Sequence, residues 1–134
     1  MMLSTEIYWL TLVTIFTSLM WLPYIINRMS EMGVWSALYN PQPDTCPKAQ
    51  WAERMMRAHE NALENLVIFS PLVILIEINQ IHSELSTFAV TLYFYARLIH
   101  FIAFTLAIPL IRVPAFLAGF SAQLILGLML LKII

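Results

Sequence analysis

Glu53, Arg57, Asn61 and Glu64 recur at i, i+4, i+8 and i+11, so on a helix they lie along one face. Arg57 offers a planar fork for a carboxylate, Asn61 both donors and acceptors, and Glu64 an acceptor for an ammonium group. This set suits a small zwitterionic ligand better than a metal ion. A structural alternative stands beside it, in which Glu53–Arg57 and Arg57–Glu64 are ion pairs that only hold a bundle together. His59 and Glu60 lie off the line, and His59 reads as a structural or interfacial histidine rather than a base.

A second stripe follows at Tyr93, Arg97, His100 and Phe104, spaced i, i+4, i+7 and i+11. Arg97 falls in the middle of an apolar stretch, so it must face protein or water and needs a partner; the carboxylates of Glu64 and Glu77 are the expected candidates. His100 is either a proton carrier or a hydrogen-bonded packing residue. Arg112, two residues before Pro114, is by itself a snorkelling anchor. It gains interest because Arg57 and Arg28 fall at the same end of their spans, where converging guanidinium groups make an anion pocket. His59, His82 and His100 are scattered, with no metal-ligand spacing, phosphate loop or Ser-His-Asp arrangement. The single Cys46 reads as a free loop thiol.

The elements that must position these groups are membrane helices. Hydrophobic residues make up 60% of the 134-residue chain and charged residues 11%, against about 25% charged in a soluble domain. Mean hydropathy is +0.78, so the chain has too little polar surface to cover itself in water. The net charge of -1 gives no hint of nucleic acid. Scarce glycine and abundant Leu, Ile, Met and Ala favour helices over a barrel. The expectation is one domain over residues 1–134, an all-α integral membrane protein built as an up-down four-helix bundle. Its spans are expected near residues 5–26, 51–79, 85–108 and 114–133. The first is read as a retained span, because no basic residue precedes it and no cleavage site follows. The connection from Asn27 to Gln50, with Pro41, Pro43 and Pro47, is expected to be irregular. At about 43 Å, the second helix is too long for a bilayer core of about 30 Å, so its charged N-terminal end should project. Trp9, Trp21, Tyr24, Trp35 and Trp51 read mainly as interfacial belts. Arg28, Lys48, Arg54, Arg57 and Arg112 fall on one side and Lys132 on the other. The positive-inside rule therefore puts the connections 27–50 and 109–113 in the cytoplasm and both termini opposite. The final Lys132-Ile133-Ile134, without a retention-like tail, is compatible with a bacterial inner membrane.

The run Glu53-Arg54, then Arg57-Ala58-His59-x-Asn61-x-Leu63-Glu64-Asn65, resembles the second-helix signature of microsomal glutathione transferases. These belong to the membrane-associated proteins in eicosanoid and glutathione metabolism, the MAPEG family, as does leukotriene C4 synthase. The segment from Tyr95-Ala96-Arg97 to Phe104 is similar to the family's third helix, and Arg112 with Pro114 to the connection that follows. The resemblance covers almost the whole chain and is most specific from Glu53 to Asn65.

It implies a homotrimer of four-helix bundles binding glutathione as co-substrate, without a metal, near the cytoplasmic face between subunits. By the same resemblance Arg57, Asn61 and Glu64 match ligand-binding positions, and Arg97 matches a third-helix arginine near the site. Arg112 sits about where the family places a thiolate-stabilising arginine, and Arg28 where relatives use basic residues for glutathione. Tyr93, Tyr95 and His100 join the expected glutathione set. The implied activity is a transferase or peroxidase acting on lipophilic electrophiles or lipid hydroperoxides in the membrane. The chain departs from the pattern at Phe104, where several members have tyrosine, and at Asn61-Ala62, where the family has Asn-Asp. A non-catalytic protein of the same fold, with a structural, lipid-binding or regulatory role, is therefore the alternative. A small transporter would call for paired broken helices or an inverted repeat, and neither is visible.

Overall fold

The structure is a computed structural model that describes residues 2–39 and 46–134. Six helices follow in order, α1 (Thr5–Leu19), α2 (Trp21–Met32), α3 (Val34–Tyr39), α4 (Gln50–Ile78), α5 (Glu84–Thr105) and α6 (Arg112–Leu130), with no strand among the described residues. Thr5–Met32, α4, α5 and α6 are each long and apolar enough to cross a membrane. The chain is thus an all-α, four-helix membrane bundle.

The first span is not one continuous helix. Pro23 has no N–H for the carbonyl of Leu19, and its ring crowds that carbonyl. The helix accordingly breaks at Met20 and restarts as α2. α2 then runs past the expected span end to Met32, where Gly33 adopts φ 83° and turns the chain into α3. The long connection is therefore helical as far as Tyr39, which corrects the expectation of an irregular loop; Pro41 and Pro43 lie outside the described residues. The last span starts at Arg112 rather than Pro114. Pro114 is tolerated there because the N–H groups of a first helical turn have no intrahelical partner.

Core packing fixes how the helices face one another. On α4, Phe69, Val73 and Ile76 are buried at i, i+4 and i+7. They meet Ala89, Val90 and Tyr93 of α5 and Ala122 and Leu126 of α6. Phe69 stacks on Tyr93 at 3.6 Å between centroids and 5° between planes. Towards the other end of α4, only small or flexible side chains are buried, namely Ala52, Met55, Ala58 and Ala62. Small residues let backbones approach closely, which brings the polar stripe of α4 to the end of α5. The aromatics near the ends are more than a belt. Trp9 packs against Phe94 and Tyr95, and the Tyr24 hydroxyl lies 2.8 Å from Nδ1 of His59, tying α2 to α4.

At the opposite end of the bundle a second polar cluster joins three helix termini. Glu6, only 2% exposed, accepts a hydrogen bond from the Ser86 hydroxyl and lies 3.1 Å from Nδ1 of His82. Nε2 of His82 is 3.7 Å from Glu77, which accepts from the Ser4 hydroxyl. Ser83 and Ser86 form a reciprocal capping box at the start of α5. Glu6→Ala strips Ser86 and His82 of their shared acceptor. Loss of a buried hydrogen-bond partner is expected to cost about 1–3 kcal/mol, read as a lower thermal midpoint in detergent with an unchanged helical circular-dichroism spectrum.

Candidate functional site

The chain turns from α5 into α6 within Leu106–Ile111. Ala107 (φ 55°) and Leu110 (φ 67°) both adopt left-handed backbone there, with Pro109 between them. This tight turn places Arg112 in the first turn of α6, back over the last turn of α5. Its guanidinium lies on the face of Phe104, with Cζ 4.8 Å from the ring centroid. The negative face of an aromatic ring attracts a cation, whereas the positive end of the helix dipole opposes one. Phe104 therefore offsets an unfavourable placement. The uncapped start of α6 and the guanidinium together make a positive locus suited to an anion.

Three clefts open around this pair, and Arg112 and Phe104 line all three. One of about 330 Å³ is bounded by Asn61, His100, Val113 and Phe116. A second, about 360 Å³, is bounded by Gln50, Glu53, Arg54 and Arg57. The third, about 250 Å³, lies under the α5–α6 turn and includes Arg54 and Ala103. The structure thus brings Arg57, Asn61, His100 and Arg112 to one end of the bundle. Arg57 pairs with Glu53 at 2.9 Å, with 67% of its side chain exposed. This is the i,i+4 pair the spacing suggests. No ion pair or hydrogen bond joins Arg57 to Glu64.

Arg97 stands behind the clefts, 2% exposed. It donates through Nη2 to Oδ1 of Asn61 at 2.7 Å, so its partner is an amide and neither Glu64 nor Glu77. Glu77 is excluded by register, because it belongs to the cluster at the far end. Cδ of Arg97 lies against Gly119, where an added Cβ would sit 3.4 Å away, so the α6 glycine gives the arginine its room. Nε and Nη1 of Arg97 and Nδ1 of His100 are buried without a hydrogen-bond partner. The His100 ring is packed between Phe104 and Phe116 and lines the cleft shared with Asn61.

Other expected site residues fall elsewhere. Tyr93 is buried in the core against Phe69, one turn further from the clefts than Arg97. Tyr95 points to the opposite side of α5, half exposed against Trp9. Glu64 is exposed, with no partner among the described residues. Arg28 is half-buried on α2 and lines none of these clefts. His59 is held by Tyr24, which fits its structural reading. Among the described residues no group of His, Cys, Asp or Glu is placed to hold a metal ion.

Three participants were given no role in the site by the sequence reading. Arg54 donates through Nε to the carbonyl of Thr105 at 2.9 Å, satisfying a free carbonyl of the last α5 turn while lining two clefts. Asn65 donates through Nδ2 to the Asn61 carbonyl at 2.8 Å. Gln123 of α6, 6% exposed, donates to the Asn65 carbonyl at 3.2 Å. A glutamine inside an apolar helix is a signal in itself, since a polar side chain at that depth needs partners.

A family model described as the MAPEG family matches residues 7–132. No curated protein and no solved structure matches the chain.

Proposed function

Because this chain belongs to the MAPEG family and is an integral multi-pass membrane protein, we propose that it activates glutathione as a thiolate. The thiolate would attack lipophilic electrophiles or lipid hydroperoxides. The observation that carries this reading is the convergence of Arg57, Asn61, His100 and Arg112 on clefts that share Arg112 and Phe104.

A thiol with an ordinary pKa near ~8.5 is mostly protonated at pH 7. A guanidinium beside the sulfur favours the thiolate, which is the nucleophile. Arg112 supplies that charge at the mouth of every cleft. Arg57, exposed and tied only to Glu53, is free to swing its fork onto a glutathione carboxylate, and Asn61 adds hydrogen bonds from the floor. In conjugation the sulfur forms a bond to carbon as the leaving group departs with its electron pair. In the peroxidase reaction the sulfur takes the distal peroxide oxygen, releasing an alcohol; a second glutathione then yields the disulfide and water. An apolar electrophile reaches the clefts from the bilayer, where it is concentrated.

Glu64 supports self-association into the family's homotrimer. It is an exposed carboxylate on a membrane helix, next to exposed Leu63, Val67 and Ile68. Facing lipid would be costly, and a neighbouring copy gives it a partner, with the glutathione site then shared between subunits. The concentration of Arg54, Arg57 and Arg112 at the cleft end supports a cytoplasmic placement of that end.

A second reading is favoured by Phe104, which has no hydroxyl to donate to a sulfur and already occupies the Arg112 guanidinium. In that reading the fold is kept and the clefts hold a lipid or regulatory ligand without thiol chemistry.

Arg57→Ala separates the two. Charge-assisted hydrogen bonds contribute about 1.5–3 kcal/mol each, so glutathione affinity by isothermal calorimetry in detergent is expected to fall at least tenfold. Stability should move little, because an exposed i,i+4 pair contributes about 0.3–0.5 kcal/mol. Unchanged affinity would favour the non-catalytic reading.

A further inference from the structure

One of the clefts is lined by Asn61, and the hydrogen bonds around Asn61 converge on it. Gln123 Nε2 donates to the Asn65 carbonyl at 3.2 Å and to its Oδ1 at 3.4 Å. Asn65 Nδ2 donates to the Asn61 carbonyl at 2.8 Å and to its Oδ1 at 3.4 Å. From the other side Arg97 Nη2 donates to the same Oδ1 at 2.7 Å. The ladder thus crosses from α6 through α4 to α5.

Its direction is forced. A guanidinium can only donate, so the oxygen of Asn61, not its nitrogen, faces Arg97. The amide of Asn65 must turn its NH2 towards the Asn61 carbonyl, which leaves its oxygen for Gln123. With both donors on Oδ1, the NH2 group of Asn61 is left over. It donates to no group among the described residues, and Asn61 lines the cleft with His100, Phe104 and Arg112.

We propose that Gln123 is a positioning residue which, through Asn65 and together with Arg97, holds Asn61 so that it presents a hydrogen-bond donor to the cleft. The cleft then selects an acceptor, a carboxylate or carbonyl of the bound thiol peptide, on this side and rejects a donor. Gln123 lines none of the three clefts. It acts at a distance by removing the freedom of an amide to flip, which is a pre-organisation effect. This inference rests on the proposed glutathione reading and adds a specificity determinant to it.

The test is glutathione binding by calorimetry to the full chain in detergent, with thermal midpoints measured in parallel. Gln123→Leu, close in volume, is expected to weaken binding about 5- to 10-fold. Asn65→Leu is expected to do the same, and the double variant no more than either alone, since both act on one amide. Asn61→Asp keeps an oxygen for Arg97 but has no NH2. It is expected to keep the thermal midpoint and lose binding at least tenfold, which holds the inference open to test even if Gln123→Leu folds poorly. Full affinity in a folded Gln123→Leu, or in Asn61→Asp, overturns the positioning role while leaving the function standing. No binding by the unaltered protein overturns the proposed function and this inference with it.

Discussion

Arg112→Met is expected to lower turnover of glutathione with an aryl halide by about 100-fold or more while leaving glutathione affinity nearly unchanged. Removing one preorganised group aimed at developing or stored negative charge costs about 10²–10³ in rate. Among the described residues, Arg112 is the only guanidinium that lines all three clefts, and no Lys or other Arg borders the cleft floored by Asn61 and His100. Affinity is expected to survive because Arg57 and Asn61 are the residues proposed to hold the peptide. Methionine keeps contact with the Phe104 ring, and Arg112 is exposed, so stability should stay within about 0.5 kcal/mol. Measured as kcat and KM separately, the loss should appear in kcat. A loss confined to KM would make Arg112 a binding residue only.

Asn61→Leu is expected to destabilise the protein by about 3 kcal/mol. An ordinary interhelical hydrogen bond in a membrane protein contributes only about 0.6 kcal/mol on average, and on that basis the change would be small. Here the deletion leaves Arg97, 2% exposed, without the one hydrogen-bond acceptor it has among the described residues. Leaving a buried donor unsatisfied costs about 1–3 kcal/mol, and more when it is on a charged group, which outweighs the lost bond. Adding Arg97→Leu to the same chain should recover most of that stability, because removing both partners of a buried polar pair is far cheaper than removing one. Thermal unfolding of the single and double variants in one detergent checks both parts. A double variant as unstable as Asn61→Leu would mean that Asn61 stabilises by packing alone.

What the sequence reveals follows from distances along one helix. The Glu53–Arg57 pair is an i,i+4 relation, and the burial of Tyr93, Arg97 and His100 on one face of α5 follows from their spacing. Tyr95 shows the same logic unused. Two residues from Tyr93, it lies about 200° around a helix of 3.6 residues per turn, and so faces Trp9. The Pro23 break was equally written in the chain, in a proline beyond the first turn of an apolar stretch. Glu77 could also have been set aside as the partner of Arg97. In an antiparallel hairpin closed at Gln80–Ser83, Glu77 meets the start of α5, and Arg97 is 13 residues further on, about 20 Å away.

Relations between helices were not legible. Asn61 and Glu64 lie at nearly the same height on α4, and choosing which one meets Arg97 requires the rotation of α4 about its axis. That rotation is set by where Ala58, Ala62, Phe69 and Val73 pack. The ladder from Gln123 depends further on the tilt of α6, which Gly119 lets approach Arg97. The cation–π contact of Arg112 with Phe104 depends on two left-handed residues in a short turn. The spacing of Phe104 and Arg112 in the chain does not disclose that geometry.

Everything proposed for these clefts turns on their converting glutathione into a thiolate. The most direct measurement is an ultraviolet difference titration of the purified, detergent-solubilised protein with glutathione, read at the thiolate band at pH 7, with Arg112→Met alongside. A saturable thiolate signal is expected in the unaltered protein and its loss in the variant, while calorimetry still shows glutathione bound to both. Saturable binding without any thiolate signal in the unaltered protein would rule out thiolate activation, and would leave the clefts as a binding site on a non-catalytic member of the fold.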